Sequence, residues 1–261
     1  TEKERVGRPP FLSPPVWGIV LKDFRVLRRD LRNLSQLLSP IIFAIIYAVM
    51  VLRGGRGSTD ERTMAIIQQY SFYFAIFVAL FACWGLTMRL AMMGFSQEGR
   101  DYWILKSAPL KPGQLALAKW LVAFLPSVVI GAVLVVVLGV MQRAAPGDVL
   151  YGLLAVVMIV AGNTGMNLAF GITGARLDWT DPHRMTSGSA GCLASLLGMG
   201  FQGLSMVLFL GPVLAAQLLN GPVLVGRLVG AMVGGVFCAA IAVLPPVLVR
   251  TRVPLIGEAG M

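Results

Sequence analysis

The sequence predicts an all-α integral membrane protein: six transmembrane helices preceded by an amphipathic interfacial helix. Three observations predict it. Six long apolar runs divide the chain, at about Ser35–Leu52, Ile66–Met93, Leu115–Met141, Val149–Ala175, Ala190–Leu219 and Val223–Val249. Hydrophobic residues make up 57% of the chain and charged residues 13%, where a soluble domain carries about 25% charged residues. The basic residues are sorted: seventeen Lys and Arg fall in 1–34, 89–119, 176–187 and the tail, and five in the intervening connections.

Each run is long enough to cross a bilayer, which takes about 20 predominantly apolar residues. A backbone in lipid must satisfy its polar groups within the segment, so the runs read as helices rather than strands. The basic sorting is a positive-inside bias that places both termini in the cytoplasm. It also accounts for the net charge of +10 without a nucleic-acid partner. Cys83, Cys192 and Cys238 all lie inside apolar runs and read as small packing residues, not a disulfide framework.

Taken in order, residues 1–15 are charged and proline-rich and read as a cytoplasmic linker. Residues 16–34 follow as the amphipathic helix. Trp17, Val20, Leu21, Phe24, Leu27, Leu31 and Leu34 share one sector at helical spacing. Lys22, Arg25 and Arg29 sit on the adjoining flank, with Asp23 and Asp30 on the other. The expectation is a helix lying flat, its apolar face toward acyl chains and its basic flank toward headgroups. Residues 35–261 form the six-span domain. Ser39-Pro40 opens its first span, and Asn220-Gly221-Pro222 makes a tight turn before its last.

The largest cytoplasmic connection runs Phe95–Lys119, with Trp103, Ile104 and Leu105 held together in a short amphipathic helix that Pro109 and Pro112 stop. Such a cluster is expected either to dock on a partner or to pack beneath the spans. Inside the spans no central acidic residue occurs, which disfavours ion-coupled transport. Asn163, Asn167 and Gln202 are the buried-amide candidates, either packing helix on helix or lining a substrate route. Gly226, Gly230 and Gly234 form a ridge that reads as packing. His183 is the only histidine, no His/Cys metal cluster occurs, and no metal site or catalytic residue is expected.

Lys22-Asp23 and Arg29-Asp30 on the first helix, Ser39-Pro40, Glu98-Gly99, Leu105–Leu110 and Lys119 together give the chain its resemblance. It resembles an ABC-2 type exporter permease, the six-span part of an ABC transporter. Arg176–Pro182 is similar to an Asp-Trp-x-x-Pro loop of a bacterial branch of ABC exporters. The resemblance implies a permease module in the cell membrane working by alternating access, for which the uncharged amides Asn163, Asn167 and Gln202 would suit an amphipathic or lipid-like substrate. It implies ATPase-coupling residues Glu98, Gly99, Trp103 and Leu105, with Asp178 and Trp179 as a second contact. It further implies an ABC ATPase subunit as partner, and a second six-span module as a homodimer, paralogue or fused half. The sequence has no G-x-x-x-x-G-K-S/T phosphate loop. ATP and magnesium are therefore expected on the partner, with no cofactor in this chain, which is then not an enzyme. Two alternatives stand beside this reading: a membrane enzyme acting on lipid head groups through Asp178–His183, or a non-transporting membrane anchor.

Overall fold

The computed structural model describes residues 13–29, 42, 45–47, 49–50, 61–108, 110–178, 188–219 and 221–256. Among them the fold is helical and has no strand. Helix α1 is Pro14–Arg29 and α2 is Glu61–Met92. A 3-10 turn, Ser96–Asp101, leads into the short α3, Tyr102–Ser107. The remaining long helices are α4 (Pro112–Met141), α5 (Pro146–Thr173), α6 (Gly188–Leu218) and α7 (Val223–Val249). A last 3-10 turn covers Arg250–Leu255.

Five segments of 28–33 residues are long and apolar enough to cross a membrane. They correspond to the second to sixth apolar runs. The first run, Ser35–Leu52, lies largely outside the described residues, so five spans are seen where six were expected. Within it Tyr47 donates from its hydroxyl to the Ser71 carbonyl at 2.9 Å.

The helix starts follow local chemistry. Pro112 and Pro146 occupy first turns, where a missing N–H has no helical partner. The Lys111 N–H is taken up by the Gln114 Oε1 at 3.1 Å, satisfying a donor the helix leaves free. Pro126, Pro212, Pro245 and Pro246 lie inside α4, α6 and α7. Neighbouring helices let such prolines persist in membrane-type bundles.

Helix α5 is the hub and packs against α2, α4, α6 and α7. Small residues allow this. A Cβ on Gly165 would strike the Ala242 backbone of α7, and one on Gly171 would strike the Met92 and Ala91 carbonyls of α2. The ridge of Gly226, Gly230 and Gly234 lies against Pro212, Val213 and Phe209 of α6, so its packing role is seen directly. Tyr151 seals the same contact by donating to the Phe209 carbonyl at 2.6 Å.

Two apolar clusters result. The larger fills the middle of the bundle around Ile76, Val135, Val156, Ile159 and Phe209. The other closes one end, where Val16, Val20, Phe95, Tyr102, Leu168 and Val253 are buried together. The second cluster corrects the expectation for the amphipathic helix. Val16, Ile19 and Val20 are buried against protein, not presented to acyl chains. A 3.6-residue apolar stripe says that a face is covered, but not by what.

Candidate functional site

Helix α1 carries its charges one turn beyond its buried face. Val16, Ile19 and Val20 anchor the helix, and Lys22 and Asp23 follow at the edge of the same contact. Helix α2 ends at Met92, and the chain turns sharply so that the 3-10 turn presents Glu98. The turn depends on Gly99, whose φ of 55° is a conformation that side-chain-bearing residues rarely adopt. Helix α4 supplies Lys119, two turns past its start and 3% exposed.

These elements bring four charges together. The Lys119 ammonium donates to Glu98 Oε1 at 2.5 Å and to Asp23 Oδ2 at 2.8 Å. The Lys22 ammonium spans both Glu98 oxygens at 2.7 and 2.8 Å and lies 3.3 Å from Asp23. Two cations face two anions, so the cluster is electrically balanced. That balance permits Lys119 to be buried, since a lone ammonium in such surroundings would cost several kcal/mol, on the order of the penalty for an unpaired buried ion. Burial works against the charge on Lys22, but the Glu98 and Asp23 carboxylates outweigh it and raise its pKa above 10.5. A small cleft of about 80 Å³ adjoins the cluster, floored by Leu90, Gly94 and Val122.

Two further bonds tie this end together. Tyr102 donates to the Val253 carbonyl at 2.9 Å, linking α3 to the turn after α7. Burial, with Glu98 adding to it, pushes the Tyr102 phenol up to about 12. The Arg176 N–H donates to Ser96 Oγ at 3.3 Å, joining the end of α5 to the Glu98 turn.

Sequence expectations fall unevenly on this geometry. Lys22, Asp23 and Glu98 do meet, but in one cluster rather than as separate surface groups. Arg25 is exposed and outside it. The Arg29 side chain, Asp30 and Trp179 lie outside the described residues. Trp103 and Ile104 are 65% and 52% exposed, while Leu105 packs on the end cluster. Asp178 is exposed. Asn163 donates to Gln202 Oε1 at 3.0 Å across the α5–α6 contact, and both are buried. Asn167 is buried with neither amide atom bonded. The member that sequence reading left out of the site is Lys119. Its signal was a charge inside an apolar run, which implies a counter-ion close by.

The arrangement is that of a helical bundle with five helices long and apolar enough to cross a membrane and an ion cluster clamping one end. Residues 4–254 match the family described as "Putative ATP-binding cassette", and the chain belongs to that family. No curated protein and no solved structure matches it.

The family supports an ABC transporter setting and corrects several expectations. It overturns the ABC-2 type permease assignment. With that fall the permease module worked by a separate ATPase, the reading of the chain as no enzyme, and the confinement of ATP and magnesium to a partner. The physical reason lies in what carried the resemblance: topology shared by many polytopic chains, and short stretches with little information. Glu98, one of the residues the resemblance implied for coupling, turns inward to two lysines of its own chain.

The family's description and the described residues differ over nucleotide. A phosphate loop joins a strand to a helix through G-x-x-x-x-G-K-S/T. Among the described residues there is no strand. The sequence holds no such stretch. Lys22 and Lys119 are both occupied by carboxylates. These residues do not form a phosphate cradle.

Proposed function

We propose that this chain is a multi-pass membrane component of an ATP-binding-cassette transport system, with the four-charge cluster and both termini on the cytoplasmic side. The asymmetry of the bundle ends carries this reading. Among the described residues Lys106, Lys111, Arg176, Arg250 and Arg252 gather with the cluster at one end, whereas Arg62, Arg143 and Arg227 mark the other. Positive loops stay in the cytosol. The cluster gives that end a mechanical role. It fastens α1 to the inner ends of α2 and α4 through charges that cannot part cheaply. A displacement of α1 at the cytoplasmic surface therefore moves two spans together.

Membrane fractionation and labelling test the reading. The chain should stay in the pellet after alkaline carbonate washing. In a cysteine-free background, an impermeant maleimide should label Arg143→Cys on intact cells and Trp103→Cys only after permeabilisation. Release by carbonate, or surface labelling of Trp103→Cys, would refute it.

A further inference from the structure

We infer that the groove between α4 and α7 is a binding site for one anionic phospholipid of the surrounding bilayer. The inference rests on the membrane reading above. Gly113, Ala116 and Ala242 are small, and their lack of bulk on both facing walls opens a groove of about 400 Å³ floored by the buried Leu168. That volume lies within the range of about 300–1,000 Å³ usual for ligand sites. Leu117, Val243 and Val247 line its rim and are exposed, so entry is sideways, from the direction that acyl chains occupy in a bilayer.

The groove is polar at one end and apolar within. Arg250 lines the end nearest the cytoplasmic turns and is exposed. Further in, the lining is apolar, Trp120, Ala116 and Val243 among it. Charge complementarity selects the headgroup. The sequence has no carboxylate between Asp101 and Asp148, nor between Asp181 and Glu258, so neither wall offers Arg250 an acid. Arg252 adds positive charge two residues further along the chain. A phosphate at Arg250 and one acyl chain running inward from it past Val247, Ala116 and Val243 satisfy both demands.

Native mass spectrometry of the chain released from nanodiscs holding equal phosphatidylglycerol and phosphatidylcholine tests this. One retained phosphatidylglycerol should outnumber retained phosphatidylcholine about fivefold, the weight of one basic residue near a headgroup. Arg250→Gln should bring the ratio to near one. Val243→Trp, at the exposed rim, should remove the retained lipid while helical content and gel-filtration profile stay unchanged. Val247→Trp serves in its place if that variant misfolds. Equal retention of the two lipids by the unmodified chain, or undiminished retention in the plugged variant, overturns the site. Carbonate-resistant protein with no retained lipid sinks this inference alone, whereas carbonate-soluble protein sinks the membrane reading beneath it.

Discussion

The two ends of the helical bundle solve the same problem with different amounts of charge. At the end proposed as cytoplasmic, hence inner, Lys22, Asp23, Glu98 and Lys119 join three elements, and Lys119 is nearly inaccessible. At the opposite end, outer on the same proposal, Arg227 of α7 pairs with Asp148 in the first turn of α5, and their side chains are 24% and 25% exposed. Asp148 also faces the N-terminal dipole of α5, which favours an anion there. The outer pair staples two helices that already pack along their length. The inner cluster holds a helix, α1, whose connection to the bundle is otherwise one apolar patch. Charge is thus concentrated where backbone packing is least extensive.

Breaking the inner cluster should have the largest effect. Lys119→Met leaves Asp23 and Glu98 without their buried cation and should cost about 3–5 kcal/mol, read as a lowered midpoint of thermal unfolding in detergent. Adding Asp23→Asn restores the charge balance and should recover part of the loss, so the two changes will not add. A strictly additive pair would show that the groups do not act as a cluster. Next in size comes Gly171→Ala, which forces a methyl onto the Met92 and Ala91 carbonyls. Overpacking of this kind costs about 1–3 kcal/mol. Because backbone carbonyls cannot swing aside, the loss should persist in every detergent tried.

The outer staple is weaker. Arg227→Ala should lower stability by about 1 kcal/mol or less, as for partly exposed pairs, and the effect should shrink in high salt. A loss equal to that of Lys119→Met would erase the contrast between the ends. The smallest effect is alkaline. Lys22 has a folded pKa raised above 10.5, so its contribution is complete below that value and fades as pH rises through the raised one. Lys22→Met should flatten the stability decline in that window. A slope unchanged by the substitution would mean that Lys22 titrates alike in both states.

Much of this fold was legible because an apolar run of bilayer length has few structural options. The run Val223–Val249 is α7 residue for residue, and Leu115–Met141 differs from α4 only by the polar turn Pro112–Gln114. The glycine ridge was legible too, since spacing of four residues on a helix can only mean one face. The site was half legible. Lys22, Asp23 and Glu98 stood out as charges beside apolar stretches, but nothing in their spacing joins residue 22 to residue 98 or 119. The apolar stripe of α1 showed a covered face, but lipid was expected as its cover where the structure has protein. Family assignment failed for a related cause. Glu98-Gly99 and Leu105–Leu110 are too short to separate one family of polytopic chains from another.

Composition and periodicity by themselves determined that the described long segments are helical, where they begin and end to within five residues, and which end is basic. Those properties follow from local backbone chemistry and from hydrophobic length. Tertiary structure alone decided that Lys119 meets Asp23 and Glu98, that α1 rests on protein, and that α4 and α7 part to leave a groove. Such pairings depend on how helices far apart in the chain pack around α5, through side-chain shapes that no single segment contains.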